Sequence, residues 1–210
     1  MARYARIERE RLADALLAVG PAAPTLCEGW DTRDLAAHLV VRERRADAAA
    51  GIAVKPLAAW TEQVRVRYRD HHSYPQLVDQ VRSVPWWNPL VIPAIDEITN
   101  LLEYYVHHED VLRAQPDWQP RTIEPELARG LWGRVPGLAR IGLRSVPATV
   151  TVEAPDYGHV VVGRGGRTVR LRGDPGELVL FFFGRQAAAQ VEIDGPEDLA
   201  HMLSAAKFDI

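Results

Sequence analysis

The sequence predicts an α+β protein, in which an all-helical first part is followed by a smaller part with its own strands. Apolar residues recur at helical spacing through most of residues 3–114. Beyond residue 148 apolar and polar residues alternate, as is typical of half-buried strands. Between the two parts stand Pro116 and Pro120, and proline breaks a helix because it lacks a backbone N–H. We therefore expect one domain at residues 1–115 and a second at residues 121–210.

The first domain is expected to consist of helices. The second helix has the most complete start, because Asp31 can cap it and Asp34 occupies its third position. That helix is expected to run to Ala50 and to end at Gly51. The other helices are expected at about residues 3–19, 58–69, 75–84 and 94–114.

The second domain is expected to open with a helix at about residues 124–143, interrupted near Pro136-Gly137. The segment Gly163-Arg164-Gly165-Gly166 is interpreted as a hairpin turn, because it lacks the following helix that a phosphate-binding loop needs. Asp174-Pro175-Gly176-Glu177 predicts a helix start with a capping-box acid, and we expect this helix to end near Arg185. The remaining elements are expected to be strands at 149–153, 159–162, 168–172 and 190–194 and a final helix at 196–206.

Composition and charge describe an ordinary globular protein. Of its 210 residues 47% are hydrophobic and 25% are charged, and the formal net charge is −3. This charge gives no reason to expect nucleic acid or an anionic membrane as a partner. We expect neither a signal peptide nor a membrane span, which needs a run of ~18 apolar residues. A single cysteine, Cys27, excludes an internal disulfide, so a cytoplasmic protein is expected.

Two residues four positions apart, Glu103 and His107, carry the strongest functional signal. On a helix this spacing places both side chains on one face, one turn apart, where they can converge on one cation. A carboxylate and an imidazole suit zinc or a similar divalent metal. The stretch from Trp30 to Leu39 supplies a second helical histidine, His38. Two histidines and one glutamate would leave zinc an open position, as in catalytic sites.

The helix at 94–114 also permits a simpler interpretation. A polar stripe opposite an apolar one is normally the solvated face of a surface helix. Alternatively, the helix is wedged between the bundle interior and the second domain, with its polar stripe lining a wet pocket. His38 leaves a similar choice, since a lone histidine at the border of an apolar face is more often a core residue than a ligand. The apolar stripe comprises Ile95, Ile98, Leu102, Tyr105 and Leu112, and the polar stripe comprises Asp96, Asn100, Glu103, His107 and Asp110.

Neighbours of the Glu-x3-His pair are given weaker roles. Asp110 lies on the same face as His107 and is either a carboxylate that orients it or a plain surface acid. His108 points away by about 100° and is not expected to be a ligand. Cys27 is interpreted as a small buried hydrophobe rather than a nucleophile or a fourth ligand.

Two further pairs of side chains are interpreted as having no functional role. His71 and His72 are expected in a loop as solvated residues, because neither has a partner at helical spacing. Trp86 and Trp87 either roof a pocket or anchor a long loop, and we favour the anchor.

Several segments resemble the signatures of a known family. Trp30-Asp31-Thr32-Arg33-Asp34-Leu35-Ala36-Ala37-His38-Leu39 is similar to the Trp-x3-Asp-Leu-x2-His-Leu signature of the mycothiol-dependent maleylpyruvate isomerase metal-binding domain, within the DinB-like superfamily. Glu103-Tyr104-Tyr105-Val106-His107-His108-Glu109-Asp110 resembles that family's Glu-x3-His-His-x-Asp. Glu177-Leu178 to Gly184-Arg185, with Asp194-Gly195 beyond, resembles its sterol-carrier-like C-terminal domain. Phe181-Phe182-Phe183 and Trp86-Trp87 make the chain similar to an actinobacterial metal-binding subgroup.

The resemblance implies a DinB-like four-helix bundle that holds one divalent metal, usually zinc, through His38, Glu103 and His107. In relatives the remaining position takes water or the thiol of a small cofactor, which is mycothiol in actinobacteria. Zinc deprotonates a coordinating thiol, so such a site would deliver a thiolate to an electrophilic small-molecule substrate. The family also implies that Arg185 meets an anionic substrate, although an arginine at a helix end also complements the helix dipole.

Three functions stay open from the sequence. The first is a zinc- and mycothiol-dependent thiol transferase or cis-trans isomerase. The second is a metal-binding protein of the same fold without catalysis, such as a sensor or carrier. The third is a helical interaction module whose polar stripe is only surface. Serine-hydrolase, Walker and dinucleotide-binding signatures are missing, and the sequence identifies neither the electrophile nor the oligomeric state.

Overall fold

A computed structural model describes residues 4–208 of the chain. The chain divides into two compact units, Met1–Pro120 and Arg121–Ile210, and this boundary falls at the end of the segment 116–120. The first unit is helical and the second combines helices with a four-stranded sheet, so the protein is of mixed α+β class. Among the described residues, no helix has both the length and the apolar character needed to cross a bilayer.

The first unit is built from helices that share one apolar core. Helix α1 packs against α5 and α6, and α2 packs against α3, α4 and α5. Leucines of α1, α2 and α5 belong to this core together with Tyr104 of α6. Short 3₁₀ turns at Lys55–Leu57 and Pro89–Val91 precede α4 and α6. The helices are α1 (Tyr4–Val19), α2 (Thr32–Arg44), α3 (Ala46–Ala53), α4 (Ala58–His71), α5 (Tyr74–Arg82) and α6 (Pro93–Leu112).

The start of α2 is confirmed, but its expected end is wrong. The Asp31 side chain accepts a hydrogen bond from the backbone N–H of Asp34 over 2.8 Å, which caps the helix. The helix stops at Arg44 because Arg45 leaves the helical region, with φ −126° and ψ 77°. The Arg45 guanidinium pairs with Asp47 in the first turn of α3, where a carboxylate favours a new helix start.

The second unit contains a sheet with the strand order β2-β1-β3-β4. Strand β1 pairs antiparallel with β2 and parallel with β3, while β3 pairs antiparallel with β4. Buried valines of β1 alternate with half-buried residues, as the sequence predicts. The elements are α7 (Pro125–Trp132), α8 (Val135–Gly142), β1 (Thr149–Ala154), β2 (Gly158–Val162), β3 (Thr168–Gly173), α9 (Pro175–Phe182), β4 (Val191–Asp194) and α10 (Glu197–Ser204).

The segment 163–166 is not the expected hairpin turn. Strand β1 lies between β2 and β3, so this segment crosses over the end of β1 rather than joining two neighbouring strands. Gly163 has φ +88°, and a Cβ there would lie only 2.2 Å from the carbonyl oxygen of Ala148. Glycine is therefore required by the close crossing and not by a two-stranded turn.

Helix α9 also begins differently from the prediction. Asp174 stands at the N-cap, but its side chain makes no capping hydrogen bond. Glu177, the expected capping-box acid, instead accepts a hydrogen bond from the backbone N–H of Gln190 over 2.7 Å. This contact ties α9 to the segment before β4. The helix ends at Phe182, before Arg185. The helical region 125–142 is interrupted at 133–134, close to Pro136-Gly137 as expected.

Candidate metal centre

Helix α6 turns its polar stripe inward. Asp96, Asn100 and Asp110 are buried, whereas Ile98 on the apolar stripe is 74% exposed. The simpler interpretation of a solvated polar face is therefore wrong. The interaction-module hypothesis loses its premise, because it took the polar stripe to be surface.

A buried network of charges explains this orientation. Arg9 of α1 forms a two-pronged ion pair with Glu43 of α2, with N–O distances of 2.6 and 2.7 Å. The same guanidinium reaches Asp96 over 3.1 Å. Asn100 donates to both Glu43 and Asp96, and the Tyr104 hydroxyl donates to Glu43 over 2.7 Å. Buried ions are tolerated only when paired and hydrogen-bonded, so the polar side of α6 must face α1 and α2.

Further along this stripe, His38 of α2 meets Glu103 and His107 of α6. The Nε2 atom of His38 lies 3.4 Å from Oε1 of Glu103, and Nε2 of His107 lies 3.3 Å from that same oxygen. One ligand atom from each residue lies within 4.8 Å of the other two. The side chains are 12–20% exposed, so the cluster is largely shielded yet reachable. The structure thus brings together the three residues that the sequence selects as ligands.

These distances are compatible with ligand atoms that share one cation. An N–H···O hydrogen bond normally spans about 2.7–3.2 Å. Two ligand atoms that are each about 2.0–2.1 Å from a tetrahedral zinc lie roughly 3.3–3.4 Å apart. Both N–O separations at Glu103 match that edge length. Two imidazoles and one carboxylate are also a donor set found in catalytic zinc sites.

Asp110 orients the His107 ring. The Nδ1 atom of His107 lies 2.8 Å from Oδ2 of Asp110, whose side chain is fully buried. A proton shared in this bond resides on Nδ1, which leaves Nε2 as the atom that faces Glu103. Carboxylate–histidine pairs of this kind hold metal-ligating histidines in a fixed tautomer. Of the two alternatives left by the sequence, Asp110 is the orienting carboxylate and not a surface acid.

Cys27 joins this cluster in a way that the sequence did not indicate. Its Sγ lies 3.2 Å from Oδ2 of Asp110 and 3.9 Å from Nδ1 of His107. The side chain is half-buried against the helical core, so the hydrophobic interpretation holds only in part. Cys27, His107 and Asp110 form a second group of atoms with the chemistry of metal ligands. No spacing rule connects residues 27 and 110, and only the folded chain shows their contact.

Arg42 is a second neighbour that sequence reasoning missed. Its Nε lies 3.2 Å from Oε1 of Glu103, and its Nη1 donates to Asn100 over 2.6 Å. Arg42 follows His38 by four positions on α2, so the helical spacing that selects Glu103 and His107 could have revealed it. The positive charge beside a proposed ligand oxygen must weaken the attraction of that oxygen for a cation.

The electrostatics of the cluster favour a negative Glu103. Burial alone would raise the pKa of the Glu103 carboxyl, but His107, His38 and Arg42 outweigh burial and hold it well below its usual range. Burial lowers the pKa of His38 despite its contact with Glu103. For His107, burial acts in the same downward direction, but the bonds to Asp110, Cys27 and Glu103 prevail and raise its pKa well above the usual value. At neutral pH and without metal, His38 is therefore neutral, Glu103 is ionised and His107 is protonated, so a metal that binds Nε2 of His107 must displace a proton.

The other histidines lie outside this cluster. His108 is buried, and its Nδ1 lies 3.0 Å from Oε2 of Glu8, in agreement with the prediction that it is not a ligand. His71 closes α4 rather than lying in a loop, and its Nδ1 faces the carbonyl of Arg67. His72 stacks on Tyr68 with ring centroids 4.9 Å apart, so it is not simply solvated.

The two tryptophans before α6 do not anchor their loop. Trp86 is 87% exposed and Trp87 is 53% exposed, so the favoured interpretation is wrong. Asn88 anchors the loop instead. Its side chain donates to the carbonyl of Glu43 over 2.7 Å and accepts from the N–H of Leu90 over 2.9 Å.

Arg185 belongs to the second unit and follows the end of α9. Its guanidinium donates to the carbonyl oxygen of Phe183, one of the last carbonyls of this helical segment. This contact fits the role of a cation at a helix C-terminus. The role of Arg185 toward an anionic substrate stays a prediction.

Comparisons with known proteins do not indicate a function for this site. Comparison of the chain with models of protein families, with curated proteins and with solved structures found no match. The function must therefore be argued from His38, Glu103, His107 and the residues that surround them.

Proposed function

We propose that this protein binds one divalent metal ion, with zinc preferred, through His38, Glu103 and His107. The observation that carries the proposal is the convergence of two imidazole nitrogens on one carboxylate oxygen at 3.3 and 3.4 Å. The inferred fold is a DinB-like four-helix bundle formed by α1, α2, α5 and α6, followed by a sterol-carrier-like second unit. In that bundle α2 and α6 supply all three ligands.

We further infer that the site serves an enzyme. Three protein ligands leave a zinc ion one open position, where a bound thiol or water becomes far more acidic. Among this chain's own residues, Glu103 supplies the negative charge, His38 a neutral imidazole and Asp110 the orientation of His107. The resemblance of the sequence favours mycothiol as the thiol and an electrophilic small molecule as the substrate, with S-transfer or cis-trans isomerisation as the reaction. Arg185 is proposed to bind an anionic group of that substrate.

A second candidate is reversible metal binding without catalysis, as in a sensor or carrier. Arg42 is the observation in its favour, since its guanidinium lies 3.2 Å from the proposed ligand oxygen of Glu103. A positive charge at that distance competes with a cation, and weak, exchangeable binding suits a sensor or carrier better than a permanent cofactor.

Metal content of the purified protein tests the shared part of both candidates. Wild-type protein purified without chelator should contain close to one zinc per chain, or should rebind one after dialysis. His107→Ala should abolish this binding, whereas His71→Ala, which changes an exposed histidine outside the cluster, should not. Wild-type protein that neither contains nor rebinds a divalent metal would show that the site does not exist.

X-ray absorption at the zinc edge separates the two candidates. If the protein is a thiol-dependent enzyme, excess mycothiol should add one sulfur to the zinc coordination. The measurement is made on Cys27→Ser as well, because Cys27 is the only protein sulfur near the cluster among residues 4–208. A sulfur signal that appears with mycothiol in both proteins supports the enzyme. Zinc that gains no sulfur in either protein favours the sensor or carrier.

A further inference from the structure

The segment from the loop before α6 to the first half of that helix exposes several large apolar side chains. Six large apolar side chains on it are between 36% and 87% exposed. Ile95 and Ile98 are three positions apart and are neighbours on the helix surface, and Ile92 stands at the N-cap of the helix. We call these six residues the α6 apolar face: Trp86, Trp87, Val91, Ile92, Ile95 and Ile98.

These apolar side chains are exposed because polar side chains hold the segment against the rest of the first unit. Asn88 holds the loop through polar bonds to Glu43 and Leu90, and this leaves the flanking tryptophans on the outside. Asp96 and Asn100 fasten α6 through the buried charge network. Polar side chains thus occupy the inner side of the segment, and its apolar side chains face water. A segment in which buried polar groups oppose exposed apolar ones is typical of a surface with a partner.

The area is large enough for a stable interface. With full side-chain areas of about 150–250 Å² for aromatic residues and somewhat less for aliphatic ones, the α6 apolar face leaves on the order of 600 Å² exposed. That is the upper end of what monomeric proteins show, which is about 300–600 Å². A standard interface buries about 800 Å² per partner, and homodimer interfaces are about 65% apolar, so roughly 520 Å² of apolar surface is needed.

The charges around the segment are compatible with a second copy as the partner. No charged residue lies between Arg82 and Asp96 in the sequence, and Asp96 is buried in its ion pair with Arg9. Glu97, next to Ile98, is partly buried and accepts a hydrogen bond from the backbone N–H of Ala5. Arg6, Glu10 and Arg82 line a cavity together with Val91, so charges of both signs border the face. In a two-fold interface a residue off the axis meets a different residue of the copy, so such charges can face opposite ones.

We propose that the α6 apolar face is the interface of a symmetric homodimer of this chain. The partner is a second copy that presents the same six side chains, and the tryptophans supply about half of the buried area. The proposal goes beyond the metal site and does not depend on it, because the ligands lie on the opposite, inward side of α6.

Sedimentation velocity tests the dimer. Wild-type protein at tens of micromolar should have twice the 23.5 kDa mass of one chain. Ile98→Glu should shift the protein to a monomer and raise the dimer Kd about a hundredfold or more, because each copy would bury an uncompensated carboxylate. Trp86→Ser, at the most exposed position, should weaken the dimer in the same direction. Ile141→Glu makes the matched change at an isoleucine that is 49% exposed in the second unit, and should leave the dimer intact.

Circular dichroism and thermal melting of each variant check that the fold is kept. All three positions are exposed, so the monomer should retain its structure. A wild-type monomer at 100 µM would overturn the proposal, as would an Ile98→Glu variant that dimerises like the wild type. Wild-type protein is also mixed with phosphatidylcholine vesicles. A monomer that floats with them would assign the α6 apolar face to a membrane and overturn the dimer.

Discussion

His107 donates its Nδ1–H to Asp110 within a single turn of α6, over 2.8 Å, and the accepting carboxylate is completely shielded from water. The same oxygen lies within reach of the Cys27 thiol. A histidine held in this way presents its other nitrogen in one direction only. Ligand orientation, and with it metal affinity, should therefore depend on a residue that does not itself belong to the three-ligand set.

Asp110→Asn tests that dependence. The amide can no longer attract the Nδ1 proton as a carboxylate does, so zinc affinity should fall about 10–100-fold without being lost. Competition with a chromophoric chelator measures the affinity. Asp79→Asn, an exposed carboxylate on α5, should leave it unchanged. Equal affinities of Asp110→Asn and wild type would mean that Asp110 does not position His107.

Arg42→Gln should strengthen zinc binding. The substitution removes a positive charge 3.2 Å from Oε1 of Glu103, and we expect about a tenfold lower Kd, on the order of 1.4 kcal/mol. Calorimetric titration of metal-free protein measures the change. Arg44→Gln is the matched control, since Arg44 on the same helix donates to the carbonyls of Gln80 and Ser83 and not to the cluster. Weaker binding by Arg42→Gln would show that Arg42 mainly positions Glu103.

Glu43→Gln should lower the free energy of unfolding by about 3–5 kcal/mol. The buried Arg9 guanidinium loses its principal counter-charge, and an uncompensated buried charge is costly. Urea unfolding followed by circular dichroism measures the loss. Asp14→Asn breaks the Asp14–Arg82 ion pair, in which Asp14 is largely exposed, and should change the unfolding free energy by less than about 1 kcal/mol. Similar effects of the two substitutions would mean that the buried network adds little stability.

Asp34 should make stability depend on acidic pH. Burial raises the pKa of its carboxyl, but Arg65 and Arg69 outweigh burial and hold the pKa below its usual value. The unfolded chain, with a pKa of about 3.9, therefore binds protons more readily than the folded chain. The stabilisation is fully present well above pH 4 and is lost as the pH falls through the lower folded-state pKa.

Asp34→Asn removes this contribution. The variant should be less stable than wild type by on the order of 1 kcal/mol between pH 6 and 8, and the difference should shrink below pH 4. Denaturant midpoints at pH 7 and pH 3 measure both values. A difference that is the same at the two pH values would show that the ion pairs of Asp34 are not its source.

Sequence reasoning succeeded where the determinant is local. The Asp31 cap lies within three residues of the N–H it satisfies, and Glu103 and His107 share a helix face because of their spacing alone. These features need no knowledge of what packs against them. The proximity of His38 could be expected only from the resemblance, because His38 and Glu103 are 65 positions apart in the sequence.

The predictions are wrong where the structure depends on residues that are distant in the sequence. The inward side of α6 is set by Arg9 and Glu43, which lie on two other helices. The pairing of β1 with β3 could not be read from their alternation, because alternation marks a strand and not its neighbour. Trp86 is exposed because the side chain of Asn88, and not an aromatic ring, fastens the loop to Glu43 on another helix.

The inward polar side of α6 has a practical consequence for protein engineering. Asn100 is a poor helix former in the middle of a long helix, so any scheme guided by helix propensity would replace it with alanine or leucine. That change would strip Glu43 and Asp96 of a shared donor at a fully buried position. Ile98, which such a scheme would keep, accepts polar residues at no cost to the single chain. In this helix Asn100 should therefore be kept, and Ile98 is the position at which a polar residue can be introduced.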